Sequence, residues 1–417
     1  MSISTLVFCI LVQCQQFSGE VFASPRLRHG NELEDGLFLV TGSDLLPGQT
    51  TFRYPELPDP SPPYLNEDGQ VEIYGSARYF IRFNSWKEFS EGGPYVIVPI
   101  DMRYPNKASM DGNYAHAWDV RKYRIFGRDG SREEVLLGGT MSPPEGSSMP
   151  VWPDDNRSRR IFAFRKDANN SWIRDSLPLF GDVTTGWLEH SYGGNFFQPE
   201  SPDPSVIDVA HHGKTFFFYE RVSEVRDDGP YKTEIFAREV AEPGHPSSEP
   251  ELDILRIERP PYPATRRSNG GYLIEGPRPI QIEVSGRKFF LIGFSSGDFC
   301  TDGYQMNYAW SHSLTGPYHQ ALDSSGSDLL DLGIVLKKRY GLSWLGRPVF
   351  YRSPDGEYEV LFHAVRKQIL PDHDYTRWPT TTSKYQLWEF YRSIFKAKLA
   401  IGLNSDGSPR IALAIQE

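Results

Sequence analysis

A short phrase recurs along this chain at a fixed distance from a glycine turn. Pro58-Asp59-Pro60-Ser61 precedes Gly69 and the apolar run Val71-Glu72-Ile73-Tyr74. Pro202-Asp203-Pro204-Ser205 precedes Gly213 and the run Thr215-Phe216-Phe217-Phe218-Tyr219, with the same aspartate-to-glycine offset of 10 residues. A third copy carries a glutamate instead: Glu275-Gly276-Pro277, then Gly286 and Phe289-Phe290-Leu291-Ile292. Three carboxylates thus hold one equivalent place in a repeated unit, and repetition of this kind governs the fold.

Glycine turns beside apolar strand pairs fall at Gly69, Gly130, Gly213, Gly286 and Gly356, at intervals of 61, 83, 73 and 70 residues. Each interval has room for a four-stranded antiparallel unit with its loops. Asp68-Gly69, Asp129-Gly130 and Asp355-Gly356 are hairpin signals. The flanking runs are rich in Val, Ile, Phe and Tyr, and aromatic residues make up 14% of the chain, a composition suited to pleated, half-buried strands. No long segment has helical periodicity. The pattern predicts an all-β protein, a five-bladed β-propeller formed as a single domain by residues 24–417. The competing arrangement is a pair of β-sandwiches with coincidental turn spacing, which the matched Pro-Asp-Pro-Ser phrases disfavour. Residues 143–155 and 242–263 read as long loops.

Residues 1–23 read as an export signal, with the apolar stretch Leu6–Val12 and a small residue, Ala23, at the cleavage point. The positive residues that usually precede such a stretch are missing. The stretch is too short to span a bilayer, and Leu11-Val12-Gln13-Cys14 is a poor lipoprotein box. A secreted or periplasmic protein is expected. With the leader gone, Cys300 stands alone, which leaves no disulfide framework. The net charge of −10 argues against a nucleic-acid partner, because phosphate binding needs a basic surface. The expected partner is a carbohydrate, met by a monomer with no membrane span.

In a propeller the innermost strand of each unit lines a central channel. The starting residues of the five units are Asp59, the stretch His116-Ala117-Trp118-Asp119, Asp203, Glu275, and the stretch Trp344-Leu345-Gly346-Arg347. Convergent carboxylates are the equipment of acid–base hydrolysis.

Asp59-Pro60, Trp118-Asp119-Val120, Asp203-Pro204-Ser205 and Glu275-Gly276-Pro277, in that order, resemble glycoside hydrolase family 43. So do Ser295-Ser296-Gly297, Tyr308-Ala309-Trp310-Ser311 and Ser313-Leu314-Thr315-Gly316-Pro317-Tyr318. The resemblance runs from Asp59 to Ile401. It implies a five-bladed propeller that cleaves β-xylosides or α-L-arabinofuranosides with inversion. In the roles it implies, Asp59 is the general base, Glu275 the general acid, and Asp203 keeps the acid protonated and oriented. Trp118, Asp119, Arg278, Trp310, Trp344 and Arg347 are the candidate substrate-binding residues.

The chain departs from the family in two units. His116-Ala117-Trp118-Asp119 replaces the usual Trp-Ala-Pro-Asp. The fifth unit has Arg347 where a histidine phrase usually helps to hold water or a metal ion. That puts a central calcium-type ion in question, and no cofactor is expected to be required. It also raises an acidic or galactose-type sugar as the alternative substrate, since a guanidinium recognises carboxylates. His363 is a candidate stand-in for the missing histidine, against the plainer reading of a core histidine. His211-His212 reads as a solvated turn. The remaining alternative is a carbohydrate-binding propeller that kept the carboxylates without turnover.

Overall fold

The computed structural model describes residues 32–34, 37–40, 57, 59–76, 79–103, 117–141, 159–176, 179, 194–199, 201, 203–224, 232–245, 252–255, 274–297, 303–326, 329–366 and 392–415. Residues 1–23, residues 143–155, His116 and Cys300 lie outside them.

Five sheets follow one another along the chain. The first holds Tyr64–Leu65, Val71–Ile73, Tyr79–Phe83 and Tyr95–Pro99. The second is built on Ala117–Phe126, Arg132–Met141, Arg159–Lys166 and Trp172–Arg174. The third holds Gly194–Phe197, Thr215–Glu224, Lys232–Val240 and Leu252–Leu255. The fourth holds Ile274–Val284, Arg287–Ser296, Gln305–Ser311 and His319–Gln320. The fifth is built on Leu342–Arg352, Tyr358–Arg366 and Ser393–Leu403.

The hairpin glycines act as the sequence suggests at most units. Gly69, Gly130, Gly286, Gly356 and, near the end, Gly407 all take positive φ, between 74° and 88°, a region open to glycine without a side-chain clash. Helices among the described residues are short: Trp86–Ser90, capped by the Ser85 side chain, and Ile334–Tyr340, ended by Gly341 at φ 63°.

The strands are apolar on both faces because each sheet packs between two others. Tyr74, Ile100, Val120, Leu136 and Phe162 fill the space between the first and second sheets. Tyr123, Val135, Ile161, Phe196 and Phe217 join the second to the third. Phe197, Phe218, Ile235, Ile292 and Phe294 join the third to the fourth. Leu291, Met306, Phe350, Phe362 and Phe395 join the fourth to the fifth. Val71, Ile73, Phe83, Val349, Leu361 and Ile394 join the fifth back to the first. Alternation along one strand does the work: Phe216 and Phe218 face the fourth sheet while Phe217 and Tyr219 face the second.

Leu37–Leu39 pairs antiparallel with Ser393–Leu403, through Leu37 with Ala397 and Leu39 with Phe395. This long-range pairing ties an early segment to the last sheet and has no local sequence signal.

One expectation from the repeat fails. The third sheet starts at Gly194–Phe197, upstream of the Asp203 phrase. The phrase instead leads into Val206–Asp208, which pairs in parallel with Arg124–Phe126 at the edge of the second sheet.

Candidate active site

Four carboxylates, three from strands of three sheets and Asp59 from the segment that leads into the first sheet, surround one guanidinium. Arg347 Nε lies 3.4 Å from Asp59 Oδ1, and Nη2 lies 3.5 Å from Glu275 Oε2. Nη1 lies 3.5 Å from Asp119 Oδ2 and 3.7 Å from Glu220 Oε1. Nε and Nη2 share one edge of the planar fork. That edge faces Asp59 and Glu275, whose side chains are 12% and 10% exposed. The other nitrogen faces Asp119 and Glu220, which are 1% and 0% exposed. The two carboxylates that reach solvent are thus the pair for which the family resemblance implies the roles of base and acid. Their facing oxygens lie on one guanidinium edge and so within about 9 Å of each other.

A recurring backbone device aims these side chains inward. Asp59, Asp119, Trp344 and Arg347 take φ of 57°, 56°, 54° and 54°, and Gly276 takes 66°. Strand pairing shifts register between Trp118 and Arg121, between Glu275 and Arg278, and on both sides of Gly346. Such bulges re-aim a side chain and interrupt pairing. Left-handed residues other than glycine are strained and are held by their surroundings.

Those surroundings are polar and buried. Ser76 Oγ donates to Asp59 Oδ2 at 2.6 Å and accepts from the Asp119 N–H at 2.8 Å. His363 Nδ1 accepts the Asp59 N–H at 3.0 Å, so its ring is neutral with the proton on Nε2. Burial first, then Arg392 and Arg347, hold the His363 pKa well below the usual histidine value. Arg278 Nη2 donates to Asp119 Oδ1 at 2.7 Å, and Arg121 bonds the same carboxylate. Arg121 also donates to the Gly194 carbonyl at 2.6 Å and to the Asn195 side chain. The Tyr304 hydroxyl donates to Glu275 Oε1.

Burial pushes Glu220 up to about 8; Arg347 pulls it down, Glu275 and Asp119 push it further up, and the Gly276 N–H pulls it down. Burial also raises Asp119, against the pull of Arg121 and Arg347. Burial alone would lower Arg347, but Glu275, Asp119, Glu220 and Asp59 together hold it well above the ordinary arginine value.

The sequence-derived candidates divide accordingly. Asp59, Asp119, Glu275, Arg278 and Arg347 come together. Arg278 is buried, with Nη2 on Asp119 and Nη1 on the Pro277 carbonyl. Arg347, encircled by carboxylates, is poorly placed to receive a substrate carboxylate. His363 is a core histidine that also braces Asp59.

Asp203 stays apart. Its Oδ1 accepts from the Ser205 N–H at 2.8 Å and the Ser205 hydroxyl at 2.6 Å, a local turn that engages one carboxylate oxygen. Burial raises it and the Ser205 bonds lower it. The strand that follows it, Val206–Asp208, pairs in parallel with Arg124–Phe126, and the charged group acting on Asp203 is Arg124 rather than Arg347. Trp310 is half-buried on the outer part of the fourth sheet, beside Phe289, His312 and His319. Trp344 is buried next to the site on the Arg347 strand. Trp118 precedes Asp119 on its strand, its backbone paired with Gly139; its side chain lies outside the described residues. His211 lies exposed beside Asp208, in a turn as expected.

Sequence reading missed Glu220, Arg121, Asn195 and Tyr304. Glu220 had a signal: it interrupts an apolar run and shares the face of Phe216 and Phe218. Asn195 had none, because the third unit's phrase points elsewhere.

A central metal ion does not fit this arrangement. Among the described residues no group of three His, Cys, Asp or Glu side chains is placed to hold one, and the Arg347 guanidinium fills the space between the carboxylates.

Comparison with protein-family models and with curated proteins by sequence gives no match. Comparison with solved structures does. A thermostable family-43 glycoside hydrolase aligns with a TM-score of 0.54 at 14% identity, over 89% of this chain and 96% of that one. An exo-1,5-α-L-arabinanase from a bovine ruminal metagenomic library aligns with a TM-score of 0.50 at 13% identity, over 86% and 97%. The fold is therefore family-43-like. No helix among the described residues is long and apolar enough to cross a membrane.

Proposed function

We propose that this protein is a glycoside hydrolase whose five sheets are the blades of a propeller around the Arg347 cluster. The cyclic order of the five apolar clusters supports the propeller. The reaction is hydrolysis of an O-glycosidic bond by inverting single displacement. The observation that carries this reading is the convergence of Asp59 and Glu275, the least buried carboxylates of the cluster, on one edge of Arg347.

Asp59 is the base. Its Oδ2 accepts from Ser76, and the proton from water goes to Oδ1, which also faces Arg347 and Arg392. Glu275 is the acid. Tyr304 occupies Oε1, so the proton for the leaving oxygen rides on Oε2. The separation bound of about 9 Å is compatible with the roughly 6.5–9.5 Å of an inverting pair and with the roughly 5–5.5 Å of a retaining one; inversion is what the family resemblance implies. Asp119 is held by Arg121 and Arg278 beneath the pair. Pentose-containing poly- or oligosaccharides are the substrate class, by analogy with the arabinanase of similar fold. The protein needs no metal, because Arg347 supplies the central positive charge.

One observation favours a second reading, a carbohydrate-binding propeller without turnover. The same guanidinium that organises the site also neutralises both reacting carboxylates. Sugar release from arabinan, arabinoxylan and nitrophenyl glycosides separates the two readings. Release by wild type, abolished in Asp59→Asn and in Glu275→Gln, is the expected result. Sugar binding with no release from any substrate would establish the binding module.

A further inference from the structure

We propose that Glu220 is a positioning residue for Glu275, holding the Gly276 peptide and the Arg347 guanidinium so that the acid faces the bond to be cut. This inference rests on the hydrolase reading above. Glu220 stands outside the repeated carboxylate phrases, and the role follows from its contacts.

Glu220 lies on Thr215–Glu224 and is fully buried. Its Oε2 accepts the Gly276 N–H at 2.5 Å. Gly276 follows the acid directly and sits in the bulge where pairing between Glu275 and Arg278 is interrupted. The bulge would leave that N–H without a ladder partner, and a buried orphan donor is costly. Glu220 supplies the acceptor from the neighbouring sheet. Its Oε1 faces Arg347 Nη1 at 3.7 Å and has no hydrogen-bond partner among the described residues. A single carboxyl thus braces both the backbone that carries the acid and the cation that faces it.

The groups facing Glu220 are Arg347 from the fifth sheet, Glu275 and the Gly276 peptide from the fourth, and Asp119 from the second. Burial outweighs Arg347 and places the Glu220 titration at about 8. The carboxyl is neutral below that pH and charged above it, which changes its pull on Arg347. A carboxyl that only braced the fold would titrate in the same way but leave no inflection in kcat.

The test is steady-state kinetics across pH on whichever substrate wild type hydrolyses, with Glu220→Ala, Glu220→Gln and Glu275→Gln beside it. Glu220→Ala should lower kcat roughly 10- to 100-fold, the equivalent of one buried hydrogen bond, with KM changed less than about threefold. Glu220→Gln keeps an acceptor oxygen for Gly276 and should lose less. Its pH profile should lack the wild-type inflection near 8. Circular dichroism checks folding; if Glu220→Ala does not fold, the Glu220→Gln profile decides. An active wild type, silenced by Glu275→Gln, beside a Glu220→Ala with unchanged kcat would overturn this inference alone. So would a Glu220→Gln profile identical to wild type. A wild type inactive on every substrate would overturn the hydrolase reading, and this inference with it.

Discussion

Arg347 reaches the centre of the site only because residue 276 has no side chain. A Cβ on Gly276 would lie 2.3 Å from Arg347 Nη1 and 2.5 Å from its Cδ. The glycine also supplies the φ of 66° that turns the chain after Glu275. One residue type therefore serves both the backbone turn and the close approach.

Gly276→Ala should push Arg347 out of the cluster and destabilise the protein by about 2–4 kcal/mol, from left-handed strain and overpacking together. Gly69→Ala is the control. That site also has positive φ, but nothing lies within 4 Å of the added carbon, so about 1 kcal/mol is expected. Urea denaturation compares the two. Equal losses would mean that Arg347 makes room easily.

Arg347→Ala should cost about 3–5 kcal/mol, because it strips the shared partner from four buried or nearly buried carboxylates. The vacated space is ringed by carboxylate oxygens. Millimolar calcium should therefore raise the melting temperature of Arg347→Ala by stabilising the folded state, while leaving wild type unmoved. Differential scanning calorimetry with calcium or chelator reads both. A calcium-stabilised wild type would contradict the assignment of Arg347 as the resident cation.

Asp203→Ala should remove two hydrogen bonds to Ser205 and cost about 1–2 kcal/mol. Turnover should stay within a few-fold of wild type, as it should for Trp310→Ala, since neither side chain contacts the cluster. A loss in Asp203→Ala equal to that of Glu275→Gln would return Asp203 to the catalytic group.

Glu220 should also leave a trace in stability. Its folded-state pKa of about 8 stands above the ordinary value of 4.5, so the folded state binds the extra proton between these pH values. The stabilisation linked to that proton is complete below about pH 4.5 and is lost as pH rises through 8. The melting temperature of wild type minus that of Glu220→Gln should fall between pH 5 and 8 and level off above. A difference that stays constant across this window would mean that Glu220 titrates normally.

The repeated glycine turns and the apolar runs beside them were legible because they are local. An Asp-Gly pair turns wherever it occurs, and a strand apolar on both faces announces that it is buried between two sheets. Asp59 and Glu275 were legible for a similar reason: each heads such a unit. Asp203 heads one too, in an identical Pro-Asp-Pro-Ser phrase, yet its carboxylate closes a turn on Ser205. Identical words diverged because Asp59 is held in a left-handed conformation by Ser76 and His363, residues 17 and 304 positions away. No local pattern encodes those contacts.

By itself, then, the sequence determined an all-β chain of five repeated units, with carboxylates and one arginine at their heads. Hydrophobic alternation and turn chemistry act over a few residues and can be read there. Which carboxylates meet was decided only by the tertiary structure, where Glu220 and Asp119 join Asp59 and Glu275 around Arg347. That choice depends on bulges, burial and pairing between sheets far apart in the chain, and on the need of every buried charge for a partner.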